Sequence, residues 1–82
     1  MKYDIQLKKR AVKDLGKLPT KDRDRMIERL ELLADDLKGD VKHLTNHSPE
    51  YRLRSGDWRA LFEVEEKQII VYRILNRREA YK

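Results

Sequence analysis

The sequence predicts an α+β fold: an N-terminal strand, a two-helix hairpin, then an antiparallel three-stranded meander, with both helices on one face of the sheet. Three observations predict it. Tyr3, Ile5 and Leu7 alternate with Lys2, Asp4, Gln6 and Lys8, the period of a half-buried strand. From Lys9 the apolar period lengthens to that of a helix. From Tyr51 alternation returns, interrupted by polar turns. The order β-α-α-β-β-β lets two amphipathic helices bury their stripes against one sheet face.

Each element has its own signal. Ala11, Leu15 and Leu18 recur at i, i+4 and i+7 with Val12 beside them, which predicts a helix from Lys9 to about Leu18. Pro19 ends it. Thr20 or Asp22 can cap the next helix. Met26, Ile27, Leu30, Leu33, Ala34 and Leu37 form its stripe, and Gly39 is placed to be the residue just past its end. Val41 to Leu44 is a short strand or an extended lead-in, and Thr45 to Pro49 has loop composition. Tyr51 to Val64 is a hairpin about the turn Ser55-Gly56-Asp57. Glu65-Glu66-Lys67 is a second turn. Gln68 to Leu75 is apolar on both faces, as a central strand is.

Length and charge bound the function. A chain of 82 residues is one domain, residues 1–82. It contains no Cys, which excludes a disulfide framework and a thiolate metal site and fits a reducing cytoplasm. No apolar run is long enough to span a membrane, and there is no signal-peptide core. The net charge is +5; residues 51–82 hold 8 basic and 5 acidic residues, mostly Arg among the basic ones. That excess favours a nucleic acid or an acidic protein as partner.

The hairpin gathers the arginines. Tyr51 and Leu53 face one side and Arg52 and Arg54 the other; Trp58, Ala60, Phe62 and Val64 share a face, and Arg59 lies opposite with Leu61 and Glu63. Three guanidiniums on a two-stranded platform are either a solvated strand face or an anion site. Phosphate is the anion that the planar fork of arginine fits best. Few carboxylates fall nearby in sequence, so the charges look unneutralised. The only imidazoles are His43 and His47, and His47 precedes the arginine strand in a loop.

The order of elements, the strand Tyr51-Arg52-Leu53-Arg54, the turn Gly56-Asp57-Trp58-Arg59 and the closing run Asn76-Arg77-Arg78-Glu79-Ala80-Tyr81 resemble the RelE/ParE superfamily of bacterial and archaeal toxins. The resemblance covers nearly the whole chain, and its specificity lies in residues 51–81. The spaced set Arg52, Arg54, Arg59, Arg77 and Tyr81 is closer to RelE-type mRNA interferases than to ParE-type gyrase poisons. The resemblance implies a cytoplasmic toxin that cuts mRNA in the ribosomal A site without metal or other cofactor, and that a RelB-like antitoxin holds inactive. Arg59 is then the transition-state clamp, Arg77 the leaving-group partner, and Arg52 and Arg54 the pair that orients the scissile phosphate and 2′-OH. Tyr81 stacks on a base or helps to activate the hydroxyl. Arg73, Arg78, Lys82 and Lys42 add RNA contacts, and His47 is the one candidate base. Ribosome-dependent relatives carry lysines where Arg52 and Arg54 stand, and many carry His where Asn76 stands. Arginine does not give up its proton, so neither position supplies a base. A ParE-like inhibitor of gyrase and a catalytically inactive RNA-binding module stay open as alternatives.

Overall fold

A computed structural model describes residues 1–80; Tyr81 and Lys82 lie outside the described residues. The elements are β1 (Asp4–Leu7), α1 (Lys9–Lys17), α2 (Thr20–Ala34), β2 (Val41–His43), β3 (Tyr51–Ser55), β4 (Trp58–Glu65) and β5 (Gln68–Asn76). They form one five-stranded sheet in the order β1-β5-β4-β3-β2. The predicted meander is β3-β4-β5. Of the two readings of Val41 to Leu44, the strand holds, as Val41–His43; beyond the prediction, β1 lies parallel to β5, so the sheet is mixed. Among the described residues no helix is long and apolar enough to cross a membrane.

The core lies between the helix hairpin and one sheet face. Ala11, Leu18, Met26, Leu30 and Leu33 pack on Leu53, Ala60, Phe62, Ile69, Val71 and Ile74. The helix stripes are narrower than their sequence patterns: Val12 and Ile27 are exposed. Helix α2 also ends at Ala34, before Leu37. Asp36 and Leu37 take left-handed backbone angles (φ 67° and 57°), and Tyr3 N–H bonds the Ala34 carbonyl. Tyr3, just before β1, thus takes up a carbonyl at the helix end, and Gly39, five residues further on, is not its C′ residue. At the other end Pro19, rather than Thr20 or Asp22, is the N-cap, and no side chain caps the helix. The Asp22 carboxylate instead accepts the Trp58 indole N–H at 3.0 Å, which ties α2 to β4.

A bulge decides which side chains of β5 are buried. Leu61 pairs with Arg73 but Phe62 pairs with Val71, so Tyr72 is an extra residue. Before it, Ile69 and Val71 face the helices; after it, Ile74 does. Without the bulge a strict period of two would turn Ile74 away and Arg73 inward. Past Leu7, β1 no longer covers β5. The Asp14 carboxylate of α1 takes over, accepting the Ile74 N–H at 3.0 Å and the Arg73 guanidinium at 2.7 and 3.2 Å. A side chain so replaces a missing strand partner.

Candidate functional site: an arginine platform on the open sheet face

The platform follows from strand register. Arg54 stands directly opposite Arg59, and Arg52 stands between Lys42 of β2 and Leu61 of β4. All lie on the face away from the helices. Leu61 and Ile70, on that same face, are nonetheless buried. Leu61 stands in register between Arg52 of β3 and Arg73 of β5. The sequence prediction of three grouped guanidiniums is what the structure shows.

The turn at one end of the platform fixes two more features. Gly56-Asp57 is a two-residue loop, and Gly56 has φ 60°. The Gly56 carbonyl accepts Arg59 Nη1 at 2.7 Å, and the Trp58 carbonyl accepts the same nitrogen at 3.1 Å. The Asp57 carbonyl accepts the Arg77 N–H at 2.8 Å. One turn therefore holds the side chain of Arg59 and the backbone of Arg77. Asn76 shapes the segment after β5: its Oδ1 accepts the Arg78 N–H, and its carbonyl accepts the N–H groups of Glu79 and Ala80. Asp57, Asn76, Arg77, Arg78 and Glu79 line a cleft of about 330 Å³. Arg77 and Arg78 are exposed there.

The charges are less naked than the sequence implied. Asp40 accepts Arg52 at 3.1 Å and lies 3.0 Å from Arg54 Nε. The hydrogen bond from Arg52, joined by the charges of Arg52, Arg54 and Arg59, holds the Asp40 carboxyl below its ordinary value of 3.8. Sequence reading missed Asp40 because it is far from the arginines in sequence. Its signal was the strand reading of Val41: pairing Val41 with Leu53 sets Asp40 beside Arg54.

Of the other expected residues, Lys42 joins the platform and Arg73 and His47 do not. Arg73 is joined to Asp14. Lys42 is exposed beside Arg52. His47 donates from Nδ1 to the Pro49 carbonyl at 2.9 Å, in the loop before Tyr51. The Gly56 turn is at the opposite end of β3, whose Tyr51–Ser55 span alone is about 13 Å at the usual rise of a strand. His43 packs edge-on against Tyr51, which stacks on Phe62. Tyr81 and Lys82, expected in the site, fall outside the described residues. Among the described residues no group of three His, Cys, Asp or Glu side chains could hold a metal ion. Chemically, the face can bind and orient oxyanions through several fixed N–H donors.

A small mixed sheet with a helix hairpin on one face and an arginine platform on the other defines a compact α+β domain with an anion-binding face. Residues 5–81 match the family model described as "ParE toxin of type II toxin-antitoxin system, parDE". The chain is 33% identical over 88 residues to a candidate toxin named RelE1 from Methanocaldococcus jannaschii, covering all of this chain and 98% of the relative. It is similar to the RelB–RelE antitoxin–toxin complex of Methanococcus jannaschii, with TM-score 0.74 and 32% identity, covering 88% of this chain and 89% of that one. It is also similar to the RelE–RelB complex of Pyrococcus horikoshii OT3, with TM-score 0.76 and 30% identity over 98% and 100% of the two chains. The RelBE2 complex of Mycobacterium tuberculosis shares the fold at TM-score 0.79 and 20% identity, over 93% and 99%. The chain belongs to the ParE toxin family of type II toxin–antitoxin systems, and among its relatives are toxins of the RelE kind.

Proposed function

We propose that this toxin is a metal-independent endoribonuclease that cuts mRNA in the ribosomal A site, in the cytoplasm, and that a RelB-like antitoxin holds it inactive. The observation that carries the reading is the grouping of Arg52, Arg54 and Arg59 on one open sheet face, with Arg77 tied to the same turn as Arg59. The antitoxin part rests on the relatives solved with RelB.

The chemistry needs little more than arginine. The RNA 2′-oxygen attacks the adjacent phosphorus, its proton goes to solvent, the P–O5′ bond breaks, and the departing 5′-oxygen takes up a proton. The products are a 2′,3′-cyclic phosphate and a 5′-hydroxyl. The protein's part is to align the hydroxyl in line with the leaving oxygen and to stabilise charge on the phosphorane. Arg52 and Arg54 orient the phosphate, Arg59 meets the charge that develops, and Arg77 meets the leaving oxygen. Tyr81 is assigned to a base or to the 2′-hydroxyl.

One observation favours a second reading. The candidate base His47 belongs to the far end of the platform, and a cluster of guanidiniums binds acidic protein surfaces as well as phosphate. That suits a ParE-like inhibitor of gyrase. Primer extension on ribosome-bound mRNA after induction separates the two. Discrete cleavage sites, with protein synthesis stopping before DNA synthesis, are the expected result. Intact mRNA with DNA synthesis stopping first would establish the gyrase reading in its place.

A further inference from the structure

Asp40 grips both arginines of β3 at once. Its Oδ1 accepts Arg52 Nη1 at 3.1 Å, and its carbonyl accepts the same nitrogen at 2.9 Å. Its Oδ2 lies 3.0 Å from Arg54 Nε, and its carbonyl also accepts the Arg54 N–H at 2.9 Å. Arg52 and Arg54 are two residues apart on one strand face, and Arg59 stands directly opposite Arg54. Like charges so placed repel and drive long side chains apart. The Asp40 carboxylate counters that repulsion and fixes where the two forks sit. The Arg52 side chain is only 13% exposed, so it is already held.

We propose that Asp40 is a positioning residue for the arginine platform, bridging Arg52 and Arg54 so that their remaining N–H donors present one fixed cradle to a single phosphate. Arginine carries five N–H donors. The bridge uses Arg52 Nη1 and Arg54 Nε, which leaves donors on both forks for oxyanion oxygens. Two long side chains are then ordered before the phosphate arrives, and their rotamer entropy is not lost on binding. The same carboxylate repels the incoming phosphate. Asp40 thus improves alignment while it weakens attraction, and the two effects act on different quantities. Affinity follows net charge; the rate on bound RNA follows alignment. The consequence for rate rests on the mRNA-cleaving reading, whereas the bridging itself does not.

Asp40→Asn tests it, because the amide keeps the size but loses the charge and one acceptor. The first readout is ¹⁵N NMR of the arginine side chains. Sharp, slowly exchanging N–H signals are expected in the wild type at the two nitrogens of the bridge, Arg52 Nη1 and Arg54 Nε. In Asp40→Asn both should broaden while the backbone amide spectrum stays folded, and in Asp40→Glu, which keeps the charge, both should return. The second readout is single-turnover cleavage on the ribosome beside binding of a non-cleavable 2′-O-methyl RNA oligonucleotide. Asp40→Asn should cleave about tenfold or more slowly, with affinity unchanged or tighter. Unaltered signals at Arg52 Nη1 and Arg54 Nε in Asp40→Asn would overturn the proposal. So would affinity and rate falling together by the same factor. If Asp40→Asn fails to fold, Asp40→Glu decides alone: unbroadened signals support the bridge, and disordered ones overturn it. A wild type that shows the Asp40-dependent signals but never cuts mRNA would remove the nuclease reading and leave the positioning role standing.

Discussion

Two aspartates show how much one carboxylate settles in a chain this small. Burial alone would raise the Asp14 carboxyl, but the hydrogen bonds from Arg73 and the Ile74 N–H, with the charges of Arg73 and Arg10, outweigh it and hold the group below its ordinary 3.8. A carboxyl depressed in the folded state adds stability above its unfolded value and loses it as pH falls through the folded one. Asp14→Asn should therefore cost on the order of 1–3 kcal/mol at neutral pH, since it weakens the ion pair and the cover of a strand-edge amide. The gap to the wild type should close as pH drops below 3.8, as chemical denaturation across that range would show. A gap independent of pH would mean that Asp14 acts through packing and not charge. The arginines separate binding from chemistry. Arg59→Ala and Arg77→Ala should each slow cleavage about a hundredfold or more, as loss of a transition-state donor does. Ribosome binding should change much less, because basic residues across the surface share the phosphate contacts. Matched losses in both would make the two residues simple anchors.

At the scale of elements, the β3–β4 hairpin was the most legible part of the sequence. Period-two alternation assigned Tyr51 and Leu53 to the core and Arg52 and Arg54 to the open face, as observed. The glycines give a paired test of the local backbone. Gly56 has open space where a Cβ would go but sits at φ 60°, so Gly56→Ala should destabilise by about 1–2 kcal/mol through backbone strain alone. Gly16 also has open space, within α1, and Gly16→Ala should stabilise by about 0.8–1.0 kcal/mol. Thermal melts of the two variants moving in the same direction would contradict this account. The helices were less legible at their ends. Apolar spacing carried α2 on to Leu37, but the Ala34 carbonyl bonds Tyr3, and a contact 31 residues away cannot be read from local periodicity. The β5 bulge was hidden for a related reason: a strand apolar on both faces gives no sign of where its register slips.

The whole molecule sets which groups can cooperate. The sequence placed His47 near the arginines because it precedes their strand. In three dimensions the hairpin puts Arg54, Arg59 and Arg77 at the turn end and leaves His47 at the other. If the site lacks a base, ionisation of the 2′-hydroxyl by solvent sets the rate. Single-turnover cleavage should then rise from about pH 6 to 8, roughly tenfold per unit. His47→Ala should follow the same line. A plateau toward high pH that disappears in His47→Ala would restore His47 as the base. The arginine grouping could be read from sequence because the residues share one hairpin. Asp40 and Asp14 could not, because each reaches its partners only through the assembled sheet.

The strand order has a consequence in time. β5 lies between β1 and β4, yet it follows both in the chain. While a ribosome is making this protein, β1 has no neighbour to pair with until residues 68–71 exist. The helix hairpin, complete by Ala34, waits with it, because Ile69, Val71 and Ile74 of its apolar bed belong to β5. Early synthesis therefore yields a chain with no cooperative core, and the fold closes when β5 arrives. A fragment ending at Glu66 should show no cooperative thermal transition by circular dichroism, whereas the complete chain should melt in one step; a sharp transition in the fragment would refute this order. A toxin built this way does not become active piecemeal. Each molecule acquires its arginine platform in one late event, and that event sets the interval in which an antitoxin must reach it.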